Sequence, residues 1–211
     1  MDSRENVREL ARQHDRIAIA ACLPMIYEEA RAAKPKLIVE LGVSREALAN
    51  KVLAWVAEEN EATFVSCDLY DFSDVCKYPN WYFYQVEAMM LATRWRQTCA
   101  DLQVLPNVDL LFVDLDEKYE TTRGVFLLWG SFLKEGSTLM LRCTNLKKEL
   151  VYADGRRTNL GWDNERGVMR AVEEDLGVYF DEAKPFSGKL NGYHVEHIPW
   201  GAGLTVLRRE K

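Results

Sequence analysis

The chain has 211 residues, 48% of them hydrophobic, and a formal net charge of −6. That length suits one α/β domain with a substantial core, and no run approaches the roughly 18 apolar residues of a membrane span. The charged start Met1-Asp2-Ser3-Arg4-Glu5-Asn6 lacks an apolar signal segment, so a soluble, cytoplasmic protein is expected, and the acidic balance excludes phosphate-backbone binding as the main activity.

Residues 3 to 33 carry a helical period, with Pro24 placed to start a second helix. Lys36-Leu37-Ile38-Val39-Glu40-Leu41-Gly42-Val43-Ser44 then reads as a short buried strand ending in a glycine turn. A helix from Arg45 to Glu58 follows, with Ser44 suited to be its N-cap. Strand, glycine turn and helix together open a nucleotide-binding α/β sheet; the same stretch also reads as an ordinary buried strand stopped by a glycine. The second strand, Ala62 to Cys67, ends at Asp68. That acid stands roughly 20 residues beyond the glycine, where such sheets hold ribose hydroxyls. It also reads as a solvated aspartate opening the polar loop from Tyr70 to Pro79.

Trp81 to Gln85 predicts a third strand and Glu87 to Ala100 a helix; Glu87 and Ala88 lie where a nucleotide base would sit. Val108 to Asp114 is the most strand-like run in the chain and leads into the acidic cluster Asp114-Leu115-Asp116-Glu117. Three acids this close should repel and raise at least one pKa, unless Asp116 and Glu117 simply cap the next helix. That helix carries Val125 to Phe132 and stops at Glu135-Gly136; Ser137 to Arg142 is a fifth strand. Residues 145 to 166 turn polar and predict a loop over a site, Gly167 to Leu176 a helix, and Tyr179 to Ala183 and Gly203 to Arg208 two last strands. Between those strands lies the aromatic and histidine-containing segment Tyr193 to Trp200. The five cysteines include no C-x-x-C pair, which argues against a disulfide framework or a structural zinc site. With no repeat or linker, the chain is expected to form one domain: N-terminal helices (1–33), a cofactor-binding core (34–143), and a substrate loop with C-terminal strands (144–211). Alternating βα units imply a Rossmann-like, doubly wound, mostly parallel seven-stranded sheet with helices on both faces and an antiparallel C-terminal strand.

The order of three stretches resembles the class I S-adenosylmethionine-dependent methyltransferases. Pro35 to Gly42 resembles their first motif, and Asp68 their ribose-binding acid. Val108 to Glu120, followed by Trp129 and Leu133 to Gly136, resembles the D-x-D-H-x-Y-E region of the macrocin O-methyltransferase and cephalosporin-hydroxylase-like group. The resemblance implies a cofactor, S-adenosylmethionine (product S-adenosylhomocysteine), and a small-molecule acceptor, with no nucleic acid or membrane partner and a homo-oligomer as an option. It implies that Glu40 receives the cofactor's ammonium, the Gly42-Val43-Ser44 turn its methionine part, Asp68 with Leu69 its ribose, and Glu87 with Ala88 its base. Asp114 would face the reacting end and Tyr119 would contact the cofactor, with Asp114 and Glu117 as the catalytic residues and either Glu117 or a C-terminal histidine taking the hydroxyl proton. Two departures are plain: Ser44-Arg45-Glu46-Ala47 replaces a second glycine, and Glu117 replaces the histidine. Relatives with a metal place His-Asp or Asp-Asn after the fifth strand, where this chain has Cys143-Thr144-Asn145. Asp114 and Asn145 alone make a poor magnesium site, so no bound metal is expected. Either a small-molecule O-methyltransferase or a diverged, non-methylating relative fits this pattern.

Overall fold

The apolar run Leu37–Leu41 forms β1 and is buried at all five positions. In a computed structural model describing residues 3–145, 149–151, 155, 157–159 and 166–210, β1 lies between β2 (Thr63–Asp68) and β4 (Val108–Val113), parallel to both. Side chains alternate across a strand, and β1 therefore feeds two cores. Leu37, Val39 and Leu41 pack with α4 (Ala88–Asp101), α5 (Tyr119–Trp129) and α6 (Gly167–Leu176). Ile38 packs on the opposite face with α1 (Ser3–Gln13), α2 (Leu23–Ala33) and α3 (Leu48–Asn60).

The sheet also holds β3 (Trp81–Gln85), β5 (Leu133–Arg142), β8 (Phe186–Leu190), β9 (Tyr193–Ile198) and β10 (Leu204–Arg209), in the order β3-β2-β1-β4-β5-β10-β9-β8. The first five are parallel and the last three antiparallel. β6 (Glu149–Val151) and β7 (Arg157–Asn159) make a separate hairpin. The rest of the polar stretch 145 to 166, expected to lie over the site, falls largely outside the described residues. Among the described residues no helix is long and apolar enough to cross a membrane.

The doubly wound, mostly parallel fold agrees with the sequence, but the sheet has eight strands rather than seven. Tyr179 to Ala183 is not a strand, because side chains of the preceding helix region satisfy its backbone. Glu173 Oε1 accepts from Phe180 N–H at 2.8 Å, and Arg166 Nη2 donates to Phe180 O at 3.2 Å. The antiparallel end instead gains the β8–β9 hairpin, whose Asn191-Gly192 turn has positive φ at both residues, as a two-residue hairpin turn requires. α3 also starts later than expected. Its N-cap is Ala47 in a left-handed conformation with no side-chain cap, so Ser44 is an exposed turn residue and not the cap. α5 ends at Trp129, and a 3-10 turn, Gly130–Phe132, leads straight into β5.

The two ends of the chain meet. The 3-10 turn Ala18–Cys22 before α2 runs under the β9–β10 connection, where Cys22 Sγ–H donates to Trp200 O at 3.3 Å. Gly201 has φ +60°, and a Cβ there would lie 2.1 Å from Ala18 O. Further along, Arg208 Nε donates to Glu29 Oε2 at 2.6 Å, tying β10 to α2.

Candidate active site

Strand register brings five chain positions to one edge. Leu41 pairs with Cys67 and Val113, Asp68 with Gln85, and Val113 with Leu141. Gly42, Asp68, Gln85, Asp114 and Arg142 therefore emerge at the carboxyl ends of β1 to β5. Strand order reverses between β1 and β4, and open α/β sheets bind ligands in the crevice outside such a reversal.

Gly42 is required there by close approach. Its N–H donates to Cys67 O at 2.9 Å, and Asp114 N–H donates to Leu41 O at 2.8 Å, which stitches the turn to both neighbouring strands. At φ +88° a Cβ would lie 2.1 Å from the Asp114 carbonyl oxygen. Asp68 holds the turn from the other side: Oδ2 accepts from Val43 N–H at 2.8 Å and Oδ1 from Tyr70 N–H at 2.9 Å. A carboxylate has about four acceptor sites, so half of Asp68's capacity remains for a ligand's hydroxyls. Leu69, at 65% exposed, Tyr70 and the side chains of Ser44 and Arg45 flank it at the surface.

Glu40 shares strand parity with Ile38 and so points towards α3, away from the turn it was expected to serve. Its Oε2 accepts from Asn50 Nδ2 at 2.6 Å and from Ser66 Oγ at 2.7 Å, and Trp81 Nε1 donates to Ser66 Oγ at 2.8 Å. Burial pushes the Glu40 carboxyl up to about 8, against the pull of the Ser66 and Asn50 hydrogen bonds. It is neutral over much of the physiological range, and a neutral acid attracts an ammonium weakly. Asn50 Oδ1 is buried without a hydrogen-bond partner among the described residues.

Three other expected contacts have structural partners. Glu87 is the N-cap of α4, accepting from Met90 N–H at 2.9 Å. Ala88 is buried, and its carbonyl accepts from Trp129 Nε1 at 3.2 Å. Tyr119 turns to α6: its hydroxyl donates to Glu174, and the Arg170 guanidinium lies 4.9 Å from its ring centroid.

Within the acidic cluster, Asp116 is held as a carboxylate. Burial would raise the Asp116 carboxyl, but hydrogen bonds from Thr121 and Lys118 and the Lys118 charge outweigh it and hold it below the ordinary value. The expected raised pKa is not found at Asp116. Asp114 faces Arg142, whose Nη1 lies 3.4 Å from Asp114 Oδ2. Glu117 is half-buried in the turn, close enough to Cys143 for its charge to help raise that thiol. Asn145 Nδ2 donates to Pro199 O at 2.9 Å. Among the described residues no group of three or more His, Cys, Asp or Glu side chains could hold a metal ion.

No protein-family profile matches the chain, and no curated protein does. Solved structures do. A protein from Corynebacterium glutamicum superposes with a TM-score of 0.58 at 16% identity, covering 89% of this chain and 81% of its own. PaMTH1, a methyltransferase of Podospora anserina solved with S-adenosylhomocysteine, gives 0.58 at 14% identity over 100% of this chain and 89% of its own. TomG, an O-methyltransferase of Streptomyces achromogenes involved in tomaymycin synthesis and solved with S-adenosylmethionine, gives 0.57 at 13% identity over 100% and 91%. The fold is that of the class I S-adenosylmethionine-dependent methyltransferases.

Within this methyltransferase fold, sequence reasoning found Gly42, Asp68 and Asp114, which the structure brings together at the crevice. Glu40 was found as well, but it faces the helices. Arg142, Asn50 and Ser66 were missed. Arg142 had a signal, a charged residue closing a buried apolar strand; Asn50 had one too, an amide on the apolar face of a helix.

Proposed function

We infer that the chain is an S-adenosylmethionine-dependent O-methyltransferase acting on a small molecule. The observation that carries this reading is the Gly42 turn, held by Asp68 at the point where strand order reverses. PaMTH1 and TomG, with the same fold, were solved with the demethylated product and the cofactor respectively. The bound cofactor supplies a methyl group on a sulfonium. On this reading Asp68 accepts from the ribose hydroxyls, the side-chain-free Gly42 lets the methionine part approach, and Glu87 and Ala88 border the base. Residues 34–143 hold the cofactor, and 144–211 complete the acceptor side of the site. Glu117, in the turn after β4, takes the acceptor's hydroxyl proton, and displacement at the methyl group depends mainly on positioning.

Two features favour a second reading, a relative that binds the cofactor without methylating. Glu40 is turned to α3, and the bulky Ser44, Arg45 and Glu46 stand where a second glycine is expected. Calorimetry with S-adenosylhomocysteine tests what the two readings share. Asp68→Ala should weaken binding at least tenfold, about the value of one lost charged hydrogen bond. It should also lower the melting temperature, because Val43 and Tyr70 N–H lose their acceptor. Asp68→Asn keeps one acceptor oxygen and separates the two effects. Unaltered affinity in Asp68→Ala would refute the ribose role.

A further inference from the structure

Arg142 closes β5 with its side chain only 10% exposed, a setting in which every N–H of a guanidinium needs an acceptor. It has almost none. Nη1 reaches Asp114 Oδ2 at 3.4 Å, beyond normal hydrogen-bond length. Among the described residues, Nη2 donates only to the soft Cys143 sulfur at 3.5 Å, and Nε is buried with no partner. Unfilled is the side edge of the guanidinium, the parallel Nε–H and Nη2–H pair that matches a carboxylate. Arg166 shows how this chain fills that edge elsewhere: its Nε donates to Glu182 Oε1 at 2.6 Å and its Nη2 to Glu182 Oε2 at 2.9 Å. Arg208, also less buried than Arg142, has Glu29 at 2.6 Å from Nε and Glu196 at 2.8 Å from Nη2.

We propose that Arg142 is the acceptor anchor of this site, binding an organic carboxylate through its Nε/Nη2 edge while Asp114 holds the guanidinium in place. The assignment to the acceptor rests on the methyltransferase reading and on position. β5 stands three strands from β2, about 14 Å at the usual spacing between neighbouring strands, so Arg142 lies at the opposite end of the crevice from Asp68. The cofactor also carries a carboxylate, and the experiment must separate the two sources. Permanent charge and planar geometry make Arg142 selective for the anion over its neutral isostere.

The test is calorimetry or ligand-observed NMR with benzoate and its neutral isostere benzamide, on wild-type protein with and without saturating S-adenosylhomocysteine. The expected result is benzoate binding at least tenfold tighter than benzamide, retained with S-adenosylhomocysteine present and unchanged by a chelator. Arg142→Lys, which keeps the charge but not the fork, should weaken benzoate severalfold and leave benzamide unaffected. Arg142→Met should abolish the preference; because it strands Asp114, the paired Arg142→Met, Asp114→Asn variant guards against misfolding. Equal binding of benzoate and benzamide, or a preference that survives in these variants, overturns the proposal. So does benzoate displaced by S-adenosylhomocysteine but not by 5′-methylthioadenosine, which lacks the carboxylate; that pattern gives Arg142 to the cofactor. Should S-adenosylhomocysteine fail to bind at all, the methyltransferase reading falls, and the titrations without it still decide whether Arg142 selects a carboxylate.

Discussion

Replacing Glu40 with glutamine should flatten the dependence of stability on pH. Glu40 is 1% exposed and its carboxyl is raised from 4.5 to about 8, chiefly by burial. Below about pH 4.5 folded and unfolded chains both hold this proton. Between there and about 8 the unfolded chain releases it while the folded one keeps it, so stability falls as pH rises. Above 8 the loss is complete. At about 1.4 kcal/mol per pKa unit the whole effect is about 5 kcal/mol, of which about 4 kcal/mol falls between pH 5 and 9. Glutamine retains an oxygen to accept from Asn50 and Ser66 and has nothing to ionise. Urea unfolding between pH 5 and 9 should therefore show the wild-type midpoint falling relative to that of Glu40→Gln. With a slope of about 2 kcal/mol per molar urea, the gap should widen by about 1.5–2 M across the series. Parallel curves for the two proteins would refute the buried, neutral carboxyl and imply that Glu40 is ionised by a partner or by water.

Gly42→Ala should cost about 3 kcal/mol or more, since φ +88° and a 2.1 Å approach to the Asp114 carbonyl leave no relaxed position for a methyl group; a thermal melt within a few degrees of wild type would contradict this. Glu117→Gln should lower turnover by about a hundredfold with affinity for S-adenosylhomocysteine intact; undiminished turnover would make Glu117 a turn residue only. Burial lowers the His197 pKa, the Glu182 carbonyl accepting from its Nε2–H at 2.9 Å and Thr205 Oγ1 lying 2.8 Å from Nδ1. As pH falls below about 6.5 the unfolded chain takes up this proton first, so wild type should lose stability towards pH 5 more steeply than His197→Gln; equal losses in paired melts would reject the assignment.

The sheet's parallel half was legible because buried parallel strands are near-continuous apolar runs, and Leu37–Leu41 and Val108–Val113 are such runs. Its antiparallel end was less so. Phe186–Leu190 alternates between half-buried and exposed positions, giving no apolar block to find, although Asn191-Gly192 marked the turn. Tyr179 to Ala183 has strand-like residues, but its backbone is claimed by Glu173 and Arg166 from far enough away that local pattern could not reveal it. At the crevice, Gly42 and Asp68 followed from spacing. The direction of Glu40 depended on which helix covers which face, and the predicament of Arg142 on the register of β5 against β4.

The contacts between residues 18–29 and 200–208 also bear on the order in which the fold can form. Residues 18–29 leave the ribosome long before their partners Trp200, Gly201 and Arg208 are made. Contacts between such distant positions carry the largest loop-closure cost and form late. Throughout synthesis, α2 and the turn before it must therefore wait with Leu23 and Ile26, fully buried in the finished protein, still lacking part of their cover. A chain stopped before β10 would leave that apolar face open, and such exposed surface is what drives aggregation of partly made proteins. The N-terminal helices thus seat fully only once β10 has joined the sheet.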